Sequence, residues 1–231
     1  MDADYAHCAR LTRDQWAWEF LRRNPDYRRD YQAFIAIWRA LEADYGIPPQ
    51  RDFSRWKRDP RAYGPLPGDA ELAAPGSELC VVDDDRVLLE CWIGAKWGFY
   101  KFPLDPQRTS PPGPDELSWR PPPAPEHRPT GDAYRLDIAF DLSLPLPQQL
   151  EAARFRLVSR AAELRRQGLA APMTLASQRA RWTQLLSLLD AEAIDEAVAE
   201  TDAPLLHEAK AMAQRGYLGI LRLADSSPGP D

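Results

Sequence analysis

The sequence predicts a mostly helical α+β chain: an N-terminal helical hairpin, a small antiparallel β-meander and a C-terminal helical region. Three observations carry this prediction. Apolar residues recur at steps of four and three through residues 27–45, aromatic and β-branched runs cluster at residues 79–102, and Ala, Leu, Arg and Glu dominate after residue 143. With 231 residues, 44% of them hydrophobic and eight tryptophans among them, the chain can bury sizeable cores. Its 23 prolines, well above the usual share of ~5%, require long irregular connections. We expect modules at residues 1–63, 77–142 and 143–222, with a Pro-rich connector at 103–130 and a disordered tail at 223–231.

The stretch WAWEFLRRNPDYRRDY, residues 16–31, falls at the corner of the expected hairpin. Thr12 and Gln15 have capping-box spacing, so a helix should begin near Arg13. It should stop near Asn24, because Pro25 lacks an N–H; Asn24 then caps a second helix, with Pro25 as its first residue and Asp26 in its first turn. Tyr27, Tyr31, Phe34, Trp38, Leu41 and Tyr45 form one apolar stripe, ended by Gly46 and Pro48. Trp16 and Phe20, one turn apart, are expected to face that stripe. Arg22 and Arg23 sit where cations complement a helix C-terminus, and Arg28 and Arg29 fall on the solvated side.

Residues 79–102 (LCVV, DDD, RVLLECWI, KWGFYKF) read as the meander, with Val82 opposite Arg86 across an Asp83–Asp85 turn. The aromatic set Trp92, Trp97, Phe99 and Tyr100 reads as the core of that sheet, with a ligand pocket as the other option. The PPPAP run favours extended polyproline backbone, and YRLDIAFDL, residues 134–142, alternates like a further strand. Beyond it, helices are expected over 147–167, with Leu150, Leu157, Ala161 and Leu164 on the buried face and Gly168 as cap, then 175–189, 191–200 and 204–215, the last stopped by Gly216.

Little in the sequence points to catalysis. The three histidines, His7, His127 and His207, show no zinc-ligand spacing, and no phosphate-cradling glycine loop, dinucleotide fingerprint or nucleophile elbow occurs. Asp83 to Asp85 read as a solvated turn. We expect a noncatalytic protein with no metal and no cofactor. Cys8, Cys80 and Cys91 read as small buried hydrophobes of a reducing compartment. The absence of a long apolar run and of a basic-then-apolar N-terminus points to the cytoplasm and away from the membrane.

WAWEFLRRNPDYRRDY, together with WGFYKFPLDP and LSWRP, resembles a bacterial transcriptional-regulator-like domain family whose members are often carried on integrative and conjugative elements. FDLSLPLPQQLEAARFRL, residues 140–157, and AMAQRGYLGIL, residues 211–221, are similar to the start and end of the third portion in that family. The resemblance implies a C-terminal domain with a helix-turn-helix-like core and a role in gene regulation. Related proteins act as activators or as antiactivators that bind them. In TQLLSLLDAEAIDEAVAE no glycine opens a turn, so the helix-turn-helix-like core reads as divergent.

Charge locates the expected contact. The net charge of −6 argues against indiscriminate coating of nucleic acid but not against a local basic surface. Seven arginines, Arg154, Arg156, Arg160, Arg165, Arg166, Arg179 and Arg181, stand against the single acid Glu163 between residues 154 and 181. Residues 183–209 instead carry seven acids and no Lys or Arg, which suits a groove-reading helix poorly. The seven arginines are therefore the expected DNA-binding residues. A solvated face neutralised by the acidic helices, or contact with an acidic protein, are the other readings of the same residues. The alternative function is an interaction module or antiactivator that binds a partner regulator and not DNA.

Overall fold

In a computed structural model of the chain, residues 3–64, 81–82, 86–100, 102–108, 110–120, 136–168, 173–194 and 199–223 are described. The Asp83–Asp85 turn, Cys80, the PPPAP run and the tail beyond Leu223 lie outside them. The described helices are α1 (Arg13–Leu21), α2 (Pro25–Tyr45), α3 (Phe53–Trp56), α4 (Leu89–Trp97), α5 (Leu146–Arg166), α6 (Leu175–Ala193), α7 (Ala203–Ala211) and α8 (Tyr217–Ile220). Two short strands, β1 (Val81–Val82) and β2 (Arg86–Val87), pair antiparallel with Val82 opposite Arg86. The chain divides into two compact units, one of residues 1–123 and 174–231 and one of residues 124–173, where modules were expected at 1–63, 77–142 and 143–222.

Local chemistry sets the N-terminal elements. Thr12 accepts from the Gln15 backbone N–H at 3.3 Å while the Gln15 side chain accepts from Thr12 N at 2.9 Å, closing the capping box that starts α1. Asn24 Oδ1 accepts from Asp26 N and Tyr27 N at 2.7 and 3.1 Å, and Pro25 opens α2. The α2 stripe runs as expected, with Tyr27, Tyr31, Phe34 and Leu41 buried, and Gly46 ends the helix at a φ of 85°.

The partner of Trp16 and Phe20 is not that stripe. Both rings pack on Trp182 of α6, at centroid distances of 5.3 and 6.3 Å, and it is Trp18 that meets Tyr27 edge-on at 5.9 Å. The reason is that α1 is buried nearly all round: Trp16, Ala17, Trp18, Phe20 and Leu21 are fully buried and Glu19 is buried with them, so the helix packs on more than one side. It packs against α8 and α6, while α2 packs against α4 and α3. Segments from both ends of the chain thus share one core.

The expected β-meander is replaced by helix. Beyond β2 the chain forms α4, in which Leu89, Ile93 and Trp97 are buried at four-residue steps and Gly98 closes the helix in the left-handed conformation, φ 89°. Phe99 forms an isolated bridge with Trp119 and stacks on it at 4.3 Å, so aromatic residues read as a sheet core belong mostly to a helical one. Trp97 and Phe99 are buried and Tyr100 is exposed. No strand forms over 136–142; the side chain of Gln149 instead ties the Asp141 backbone to the start of α5.

The C-terminal helices differ in extent. α6 continues to Ala193 where a break was expected at 189, and Gly216 does not end a helix: residues Met212–Gly216 form a π-helical turn leading into α8. In the second unit, α5 ends at Gln167 with Gly168 at a φ of 69°, the anticipated cap. Its expected buried stripe is only partly formed. Leu164 is buried, but Leu150 and Leu157 are exposed, as are Phe155 and Val158 off the stripe.

Candidate nucleic-acid interface

Five of the seven expected DNA-binding arginines lie on α5, and helical period decides where they point. Arg154 and Arg165 share one side. Arg156 and Arg160, four residues apart, share the opposite flank, and Leu150 and Leu157 run between the two. Arg166 falls on the far side of the helix. Arg156, Arg165 and Arg166 are exposed and make no ion pair with a described residue. Arg154 approaches Glu151 at 3.7 Å in a fully solvated pair, and Arg160 donates to Glu163 at 3.0 Å. The solvated Arg154 pair is worth little and leaves that guanidinium available to a polyanion, whereas Arg160 is half-buried.

Arg179 and Arg181 belong to α6, in the other unit. Arg181 forks onto Glu208 of α7, whose carboxyl is held below the usual carboxylate range by those hydrogen bonds. Arg179 is half-buried, with Nε enclosed and unpartnered among the described residues. Four of the seven arginines thus form two flanks of α5, Arg166 lies off them, and Arg179 and Arg181 belong to the other unit.

The RRNPDYRR corner is a second concentration of guanidinium groups, and most of it is structural. Arg23 donates to Glu19 Oε2 at 2.6 Å and bidentately to Asp190 of α6 at 2.8 Å for each bond. Arg22 donates to the same Glu19 oxygen at 2.7 Å, and Tyr5 donates its hydroxyl to Asp190 at 2.7 Å. Burial pushes the Asp190 carboxyl up, but the hydrogen bonds and charge of Arg23, aided by Tyr5, outweigh it and hold the group below the usual range. The reverse holds for Tyr5, which burial and Asp190 raise. Burial and the nearby Glu19 charge push the Cys8 thiol up to about 11, which makes it inert at neutral pH. Arg22 and Arg23 thus serve carboxylate partners on two elements, where a helix-dipole role was expected.

Asn24 ties the corner to the C-terminal end of the chain. Its Nδ2 donates at 3.0 Å to the carbonyl of Ala213, a π-turn carbonyl freed from the regular helical ladder. Sequence reasoning read Asn24 only as a cap; Glu19 carried a weaker signal, the Glu19–Arg22–Arg23 spacing of three and four, and Asp190, 167 positions from Arg23, carried no local one.

Two clefts flank this corner. One, of about 540 Å3, is walled by Arg22, Arg28, Arg29 and Gln32; the other, of about 530 Å3, lies between Arg28 and the α6–α7 side of the same unit. Among the described residues no three His, Cys, Asp or Glu side chains come together as metal ligands, and no helix is long and apolar enough to cross a membrane.

No curated protein and no solved structure matches the chain. Residues 1–56, which span α1, α2, α3 and the Arg-rich corner between the first two, match the family described as a proteobacterial transcriptional regulator-like domain.

Proposed function

We propose that this protein is a noncatalytic transcriptional regulator acting in the cytoplasm, and that it contacts DNA through α5, controlling genes of an integrative and conjugative element. The match over residues 1–56 supports a regulatory role. The observation that carries the DNA contact is the distribution of guanidinium groups on α5, Arg154 and Arg165 on one flank and Arg156 and Arg160 on the other. A helix of this kind can lie along the major groove with one flank toward each phosphate strand. Such contacts fix position and orientation; they carry no base information. The helix-turn-helix-like pair implied by the resemblance would be α6 and α7, but there Glu208 neutralises Arg181 and Glu192 pairs with Lys210, so α7 offers little to phosphate.

The test is binding of the full chain to duplex DNA from its own promoter region. Arg156→Glu with Arg165→Glu, one on each flank, should abolish the complex at low salt while leaving the thermal midpoint unchanged. Unaltered affinity in this variant sinks the reading.

A second reading, an interaction module that binds a partner regulator, rests on the exposed apolar residues of α5, Phe155 at 73% and Leu150 at 56% exposure among them. Under it, Phe155→Ser removes partner capture and the arginine reversals leave it largely intact.

A further inference from the structure

We propose that the cleft between the start of α2 and the α6–α7 side of the first unit binds a small organic phosphate as a regulatory ligand, with Arg28 as its principal anchor. The inference stands apart from the α5 reading, since it uses neither that helix nor DNA.

The argument begins with what the other cations of the corner already hold. Arg23 is bound to Glu19 and Asp190, Arg22 to Glu19, and Arg29 to Asp26 at 2.8 Å. Arg28 makes no ion pair with a described residue, and the Asp190 carboxylate that acts on it from a distance is already held by Arg23 and Tyr5. The Arg28 Nε donates to the Arg22 carbonyl at 2.8 Å, which fixes the side chain and leaves both terminal nitrogens for another acceptor. Partial desolvation and the charges of Arg23 and Arg22 lower its pKa against the opposing pull of Asp190; a guanidinium remains charged regardless, and a bound anion would offset the two neighbouring cations.

The cleft supplies the rest of a binding site. Its volume, about 530 Å3, falls in the range of small-molecule pockets. Lys210 and Gln214 add donors on the wall opposite α2, and Leu189 and Ala213 supply an apolar part for the body of the ligand. Glu192, which also lines the cleft, is paired with Lys210 in a half-exposed contact worth little, so a phosphate competes with this one carboxylate for the ammonium. A dianion matched to a guanidinium fork and an ammonium is the chemistry these residues recognise best.

The wall also explains how occupancy would be felt. Ala213 and Gln214 lie in the π-helical turn, a kind of element often found at functional sites. Asn24 fastens that turn to the corner from which Arg28 projects. A ligand spanning Arg28 and Gln214 therefore bridges the segment that matches the regulator-like family and the C-terminal helices.

Calorimetric titration of the full chain with phenyl phosphate and with inorganic phosphate, at ionic strength held constant with sodium chloride, tests the inference. Saturable binding is expected, tighter for phenyl phosphate because it also occupies the apolar part. Arg28→Gln should weaken it at least about tenfold, and Lys210→Gln should weaken it too, with the unliganded thermal midpoint unchanged in both. Arg166→Gln should have no effect. Absence of saturable binding for both probes, or equal affinity in the Arg28 and Lys210 variants, overturns the proposal. So does displacement of phenyl phosphate by duplex DNA in an α5 Arg156→Glu, Arg165→Glu background, which would assign the cleft to the nucleic-acid backbone.

Discussion

Replacing Arg23 with methionine keeps the volume of the side chain and removes the charge that holds two carboxylates of different elements. The side chain of Arg23 is 6% exposed, that of Glu19 is 4% exposed and that of Asp190 is 40% exposed. Breaking a buried ion pair on one side typically costs about 3–5 kcal/mol, because the remaining charge is left without compensation. Here the low end applies: Arg22 stays on Glu19 at 2.7 Å, and Asp190 is partly solvated. A loss of about 3 kcal/mol lowers the melting midpoint of a chain this size by about 6–12 °C. Thermal and urea unfolding followed by tryptophan fluorescence will measure it, since Trp16, Trp18 and Trp182 report on the same core. Glu19→Leu combined with Arg23→Met should recover part of the loss, as apolar replacements of a buried pair often do. The acid limb offers a further check. Asp190 titrates low in the folded state, so its contribution is present above the unfolded Asp value of about 3.9 and is lost as pH falls through the lower folded value. Arg23→Met should flatten that limb. A midpoint within about 2 °C of the parent, with the acid limb unchanged, refutes the claim that this arginine is structural.

Three other substitutions probe separate parts of the fold. Asn24→Ala removes the cap of α2 and orphans the Ala213 carbonyl, for a combined loss of about 2–4 kcal/mol in urea unfolding; Asn24→Asp keeps the cap but turns a carboxylate oxygen toward that carbonyl, so it should lose at least the second part. Glu90→Gln should stabilise the protein at neutral pH by an amount on the order of 1 kcal/mol. Burial raises the Glu90 carboxyl and its Oε2 has no partner among the described residues, so the benefit should be absent below the unfolded pKa, grow as pH rises above it and be complete above the folded one. Gly98→Ala forces a side chain into φ 89° and to 3.0 Å from Leu218, which should cost about 1–2 kcal/mol in the same unfolding assay.

The parts of the fold that local chemistry dictates could be read from the sequence. The Thr12 capping box, the Asn24–Pro25 corner, the α2 stripe, Gly46 and Gly168 depend on residues within a few positions of one another, and each stands where spacing placed it. What failed depended on distant partners or on choosing between two periods. LLECWIGAKW is apolar enough to be a strand, but Leu89, Ile93 and Trp97 repeat every four residues with Gly98 behind them, and that helical spacing was the deciding signal. WAWEFL carries one polar residue, Glu19, among five apolar ones, which marks a helix buried on most sides; only the three-dimensional fold could supply Trp182, 166 positions from Trp16, as the partner. Five of the seven arginines lie on α5, and Arg179 and Arg181 lie on α6 of the other unit, where Glu208 pairs with Arg181. Of the candidate site, charge was legible and direction was not, because direction needs the exact helix bounds.

The salt dependence of DNA affinity tests the central claim most directly. If Arg154, Arg156, Arg160 and Arg165 each neutralise a phosphate, the logarithm of the association constant should fall against the logarithm of salt with a slope of about −3.6, at about −0.9 for each contact. Arg156→Gln with Arg165→Gln should reduce the slope to about −1.8. A slope near zero for the parent protein, or the same slope in parent and variant, contradicts the assignment of α5 to the phosphate backbone.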